Sequence, residues 1–141
     1  MSGYLGRYQR DLDEKGRLSL PASFRRGGGE EPLVLVHAFP NALTLYPDEA
    51  WAGVEGRLRE LMRLPEGRAY ALRMSSSALP VTPDKQGRIL VPQWLQEAAG
   101  ITGPVLVVGA IDKIELWDPA RFAAETDAPA PEVERFRYQI F

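Results

Sequence analysis

The sequence predicts an α+β fold, rich in β-structure, in which two tandem hairpin units with short flanking helices build one shared barrel. Three observations carry that prediction. The stretch Leu12-Asp13-Glu14-Lys15-Gly16-Arg17-Leu18-Ser19-Leu20-Pro21 returns as Pro83-Asp84-Lys85-Gln86-Gly87-Arg88-Ile89-Leu90-Val91-Pro92, with Asp, Gly, Arg and Pro each 71 positions on (13 to 84, 16 to 87, 17 to 88, 21 to 92). Each copy is followed by a short, uniformly apolar run, Leu33-Val34-Leu35-Val36 and then Val105 to Val108, of strand length. One long stretch, Asp48 to about Leu64, instead places Trp51, Val54, Leu58, Leu61 and Met62 at three- and four-residue steps, the spacing of a helix with one apolar face.

Taken in order, Gly6 to Leu12 reads as a strand entering a tight turn. In Asp-x-x-Gly the aspartate bonds its own backbone ahead, and the glycine takes the left-handed residue. Arg17 to Leu20 then reads as the partner of the incoming strand, closed by Pro21, which cannot donate to a ladder but suits a helix start. Ala22 to Arg26 forms a single helical turn, Gly27-Gly28-Gly29 a flexible loop, Leu33 to Val36 a central strand, Ala38 to Ala42 a turn, and Leu43 to Tyr46 the return strand. Pro65 ends the long helix and Arg68 to Met74 is weakly helical. Ser75-Ser76-Ser77 reads as a hinge between halves.

Ala78 to Thr82 supplies the second incoming strand. Gln93 to Ala99 forms a helix closed by Gly100, and Val105 to Val108 and Ile114 to Trp117 repeat the strand pair. Tyr46-Pro47-Asp48 answers Trp117-Asp118-Pro119, Trp51 answers Phe122, and one indel between the Pro40 and Asp112 turns moves the upstream offset to 72 (32 to 104). The division is residues 1–76, residues 77–123, and a Pro/Ala/Glu-rich tail over 124–141, read as mobile from Thr126 with a docked end at Phe136 to Phe141. Units of about 50 residues with unpaired edges are not stable alone, so the two repeats interlock as one intramolecular pseudo-dimer that places the two Arg turns by a pseudo-twofold.

A hydrophobic fraction of 45% with 26% charge is that of a soluble globular protein. There is no cysteine, no apolar run long enough to span a membrane and no signal-peptide core, which points to the cytosol. With one histidine and no cysteine, no nucleophile, base or metal constellation of an enzyme can be assembled, and no cofactor is expected. His37 ends an apolar strand without a neighbouring ligand and reads as structural; Trp51, Trp94 and Trp117 read as core or subunit-contact residues. The net charge is −2, yet residues 1–26 hold six basic side chains (Arg7, Arg10, Lys15, Arg17, Arg25, Arg26) against three acidic ones (Asp11, Asp13, Glu14).

Arg17 and Arg88 recur at the same turn position, beside Lys15 and Lys85. A guanidinium fork there can bind phosphate or read guanine with two hydrogen bonds. Arg7, Arg10, Arg25 and Arg26 each read equally as phosphate contacts or as solvated charge. Asp13 and Asp84 have a backbone role in their turns and are not a catalytic pair. Arg17 to Leu20 alternates as a half-exposed strand should, whereas Arg88 to Val91 is apolar on both faces, which places the first copy at the wetter surface.

Leu-Asp-Glu-Lys-Gly-Arg-Leu-Ser-Leu-Pro at 12–21, Asp-Lys-Gln-Gly-Arg-Ile-Leu-Val-Pro at 84–92 and Val-Gly-Ala-Ile-Asp-Lys-Ile-Glu-Leu-Trp at 108–117 resemble the MraZ family, within the AbrB-like swapped-hairpin DNA-binding proteins. The resemblance spans about residues 3–123. It implies a swapped-hairpin barrel and a nucleoid-associated transcriptional regulator, most simply a repressor of the cell-division and cell-wall gene cluster. Such a regulator binds short direct repeats in double-stranded promoter DNA as a ring-shaped homo-oligomer. By position it carries DNA contact onto Asp13 and Arg17, then Asp84 and Arg88. An AbrB-like antitoxin and a ring-forming assembly protein without specific DNA binding stand as the alternatives.

Overall fold

Residues 3–25 and 29–141 are described by a computed structural model; Arg26, Gly27 and Gly28, on which part of the expected glycine loop falls, lie outside the described residues. The elements run β1 (Arg7–Asp11), β2 (Arg17–Ser19), a 3-10 turn (Ala22–Phe24), β3 (Leu33–Phe39), β4 (Ala42–Pro47), α1 (Asp48–Met62) and α2 (Arg68–Ser77) through the first half. The second half holds β5 (Leu79–Val81), β6 (Arg88–Leu90), α3 (Gln93–Ala99), β7 (Pro104–Gly109), β8 (Ile114–Trp117) and α4 (Pro119–Glu125), followed by α5 (Ala130–Ile140). The fold class is α+β.

All strand pairs are antiparallel. Six strands form one sheet in the order β1-β7-β8-β4-β3-β5, and β2 and β6 form a separate two-stranded ribbon. The expected hairpin partnership of Gly6–Leu12 with Arg17–Leu20 is therefore overturned. Only one rung, Asp13 N–H to Arg17 O at 3.0 Å, joins the two arms of the turn, after which β1 pairs with β7 and β2 with β6. The physical reason lies in burial. Leu18 and Ile89 point inward from the ribbon, and they lose water only if the ribbon lies over the sheet, not beside β1. Nor do the ladders close a barrel, since the six-stranded sheet ends at β1 on one side and β5 on the other.

The sheet order reads as a palindrome of the two repeats: each repeat's first strand, β1 or β5, pairs with the other repeat's strand, β7 or β3. Two pairs of positions 71 apart face each other directly, Leu18 opposite Ile89 in the ribbon and Thr44 opposite Glu115 in the sheet, and these mark the pseudo-twofold. The indel also has a visible cause. Val36 opposes Thr44 but Phe39 opposes Ala42, so β3 carries a one-residue bulge that β7 lacks.

One core lies between the sheet and the ribbon. Leu33, Leu35, Leu43, Leu45, Val105, Val107, Ile114 and Leu116 face it from the sheet, while Leu18, Leu20, Ile89 and Val91 face it from the ribbon side. Phe24 and Leu95 are buried in the same core, with Tyr4 and Tyr8 meeting the Phe24 ring edge-on at centroid distances of 5.5 and 5.3 Å. The helices α1 and α2 pack on the sheet, with Asp48 and Glu49 in the first turn of α1 complementing its dipole.

Further expectations are corrected. Ser75–Ser77 is not a hinge but the last turn of α2, where the hydroxyls fold back; Ser77 Oγ donates to Arg73 O at 2.7 Å. The turn over Ala38–Ala42 narrows to Pro40-Asn41, because β3 runs on to Phe39. The expected docked end at Phe136 to Phe141 does not pack on this chain: Ala130–Ile140 forms the helix α5, and every residue from Ala123 to Phe141 is exposed. Trp117 lies in the core as expected, whereas Trp94 is half exposed on α3, which leaves for it the subunit-contact alternative. Among the described residues no helix is long and apolar enough to cross a membrane.

Candidate nucleic-acid interface

The two Asp-x-x-Gly-Arg turns are built alike, bond for bond. Asp13 Oδ1 accepts from Lys15 N (2.9 Å) and Arg17 N (2.8 Å), while its Oδ2 accepts from Arg17 Nε at 2.7 Å. Asp84 Oδ1 accepts from Gln86 N and Arg88 N, and its Oδ2 from Arg88 Nε, all at 2.9 Å. Gly16 and Gly87 hold φ of +80° and +77°, which an L side chain resists, and each donates its N–H to the aspartate carbonyl. Both carboxyls are held below the ordinary carboxylate value of 3.8, first by the arginine backbone N–H and against the opposing effect of desolvation.

The turns are also tied to each other. Leu20 N donates to Gly87 O at 2.9 Å and Val91 N to Gly16 O at 2.8 Å, so the ribbon ends in the glycine of each turn. In that register Arg17 opposes Leu90 and Ser19 opposes Arg88. Directly opposed residues share a face, and residues two apart in a strand share one as well. Arg17, Ser19, Arg88 and Leu90 therefore stand together on the outer surface, with Leu18 and Ile89 beneath them.

This corrects the expectation that the second copy lies deeper. Leu90 is 56% exposed, because β6 pairs with β2 and turns the same face outward. The apolar run Arg88 to Val91 does not mark a strand buried on both sides. Arg17 and Arg88 keep 33% and 27% of their side-chain surface, and no hydrogen bond among the described residues uses their Nη atoms.

The remaining cations are distributed unevenly. Lys15 and Lys85 are exposed at the tips of the turns. Arg25 lies against Gly87, where a Cβ added to the glycine would come within 2.3 Å of its Nη1. Arg10 donates from Nη1 to Gln9 O at 2.9 Å and lies over the Tyr8 ring. Arg7, three residues earlier and so on the other face of β1, stacks over Phe122 of α4 at 5.1 Å and stands apart from the turns.

Sequence reasoning missed Ser19, Leu90 and Gln96. The last lies over Gly16, donating from Nε2 to Val91 O at 2.8 Å, and the 71-residue offset applied to Arg25 would have pointed to it. His37 Nε2 lies 3.1 Å from Pro40 O, which only accepts, so that nitrogen carries the proton. Among the described residues no group of three or more His, Asp or Glu is placed to hold a metal ion.

A surface of paired Asp-clamped arginines, presented by two repeats, is a pattern that can be compared with known proteins. The profile of one family, described as "MraZ protein, putative antitoxin-like", matches residues 4–69 and 74–130. Three similar proteins each bear the name "Transcriptional regulator MraZ". That of Acetivibrio thermocellus is 38% identical over 120 residues, covering 84% of this chain and 83% of its own. That of Thermomicrobium roseum is 37% identical over 133 residues, 92% and 91% of the two chains, and that of Corynebacterium glutamicum 37% over 131 residues, 89% and 90%. With both repeats, both turns and most of the chain inside these matches, this protein belongs to the MraZ family.

Proposed function

We propose that this chain is a DNA-binding transcription regulator that meets the double helix with the outer face of the β2–β6 ribbon. The observation that carries this reading is the pair Arg17 and Arg88, side by side on one wet surface, each fixed at Nε and free at Nη among the described residues. The aspartate clamp removes rotamer freedom that a long side chain would otherwise lose on binding. What projects is a planar fork suited to a phosphate or to guanine O6 and N7. In this reading Asp13 and Asp84 position, Arg17 and Arg88 contact bases or phosphate, and Lys15, Lys85, Arg10 and Arg25 add phosphate contacts. Arg7, over Phe122, is not part of the surface.

One protomer offers only two forks. A ring-shaped homo-oligomer, presenting several ribbons to successive short direct repeats, would raise affinity through effective concentration alone. The exchange of leading strands between repeats supports the AbrB-like swapped-hairpin relationship, with residues 1–76 and 77–123 acting as one intertwined unit. The relatives' name supports a regulatory role, and we assign repression at the promoter of the cell-division and cell-wall gene cluster, in the nucleoid-associated cytoplasm, with neither cofactor nor small-molecule substrate.

Mobility shift on the chain's own upstream region, with particle size measured in parallel, tests the reading. Arg17→Ala should leave the assembly intact and abolish specific retardation; normal retardation by that variant in moderate salt refutes the assignment. The second reading, an antitoxin-type protein whose tail engages another protein, is favoured by the exposed side chains Val133, Phe136, Ile140 and Phe141 on or just after α5. Deleting residues 128–141 separates the two: DNA binding survives under the first reading, and partner binding is lost under the second.

A further inference from the structure

The two ends of the ribbon are alike in backbone and unlike in charge. Positions 71 apart compare Glu14 with Lys85, Lys15 with Gln86 and, over the two glycines, Gln96 with Arg25. Around the first turn Asp13, Glu14, Lys15, Arg17 and Gln96 carry formal charges of −1, −1, +1, +1 and 0, a net of zero. Around the second, Asp84, Lys85, Gln86, Arg88 and Arg25 carry −1, +1, 0, +1 and +1, a net of +2.

The side chains over the glycines also differ in what they do. Gln96 is committed, with Nε2 bonded to Val91 O. The Arg25 side chain makes no hydrogen bond or ion pair among the described residues, and its Nε is buried without a partner. Glu31 lines the crevice beside it without reaching ion-pair distance. A guanidinium held against a turn backbone with no carboxylate to neutralise it is a cation available to an anion from outside.

We propose that Arg25, with Lys85 and Arg88, forms a phosphate anchor at the second-turn end of the ribbon, and that the electrically balanced first turn reads bases through Arg17. Each protomer then has a direction on the duplex: one end grips any phosphate backbone, and the other discriminates sequence. This inference rests on the DNA-binding reading above and adds a division of labour to it.

The test measures binding to an upstream-region fragment and to an unrelated duplex across a range of salt concentrations, for wild type, Arg25→Gln, Gln96→Arg and Arg17→Ala. Arg25→Gln installs the residue already accommodated at the equivalent position, and Gln96→Arg does the reverse. Arg25→Gln should weaken both duplexes by a similar factor and reduce the slope of log K against log salt by about one per engaged protomer. Gln96→Arg should steepen the slope by a similar amount without changing the preference for the upstream fragment. Arg17→Ala should remove that preference. An unchanged slope in Arg25→Gln, or a selective loss on the upstream fragment alone, overturns the anchor while leaving the DNA-binding reading standing. If Arg25→Gln fails to fold, an unchanged slope in Gln96→Arg overturns it instead. Wild-type protein that binds neither duplex overturns the DNA-binding reading itself.

Discussion

Leu18 and Leu90 lie in the same three-rung ribbon, on neighbouring rungs, and the structure assigns them opposite fates. Leu18 is 0% exposed and faces the sheet across Ile89 at the pseudo-twofold, while Leu90 points outward beside Arg17. Leu18→Ala deletes three carbons, about 2.4 kcal/mol of transfer free energy at about 0.8 per methylene. The cavity cannot collapse easily, because Leu20 and Val91 on either side are tied by the bonds to Gly87 and Gly16, so the total should reach about 3 to 4 kcal/mol. For a chain of this size that is roughly 10 °C in Tm. Leu90→Ala removes the same atoms from a position more than half in water and should cost about 1 kcal/mol or less. Urea unfolding of both variants at one protein concentration, read by circular dichroism, gives the comparison. Equal losses, or a larger one for Leu90→Ala, would mean that the register is slipped by one residue or that Arg17–Leu20 pairs with β1 after all, and the shared arginine face would go with it.

Gly16→Ala should cost about 1 to 2 kcal/mol in the same assay, since φ of +80° strains a side chain and its Cβ would meet Val91 O at 3.0 Å. Gly87→Ala strains the same conformation and also displaces Arg25, so it should flatten the salt dependence of DNA binding where Gly16→Ala does not. Asp13 and Asp84 have depressed folded-state pKa values, so their stabilisation is complete above the ordinary value of 3.8 and disappears as pH falls through the folded value. An Asp13→Asn/Asp84→Asn double variant should therefore be less stable than wild type at neutral pH, with the two unfolding curves converging at acid pH; a gap that persists there would refute the clamp. Ile111 is a β-branched residue at φ +74° with its side chain exposed, and Ile111→Asn should raise monomer stability by about 1 kcal/mol, measured by thermal unfolding.

The turns themselves were legible in the chain because their cause is local. Asp13 and Asp84 reach only two and four residues ahead, so spacing and residue type already define the hydrogen bonds that form. The 71-residue offset and its one-residue slip were equally readable, and the bulge between Val36 and Phe39 is their structural counterpart. The long helix followed from its apolar period. Ser75–Ser77 was misread because serine composition favours loops only weakly, and backbone hydrogen bonding within a helix overrides it.

Strand partners are a different matter, because a strand's own sequence states which face is apolar but not which other strand will cover it. That Arg17 faces Leu90 and not β1, that Arg88 is as much at the surface as Arg17, and that Arg25 crosses from one repeat to the turn of the other depend on contacts between residues as many as 73 positions apart. Local chemistry made two arginine turns; only the burial of Leu18 and Ile89 against a common sheet turned both to the same side.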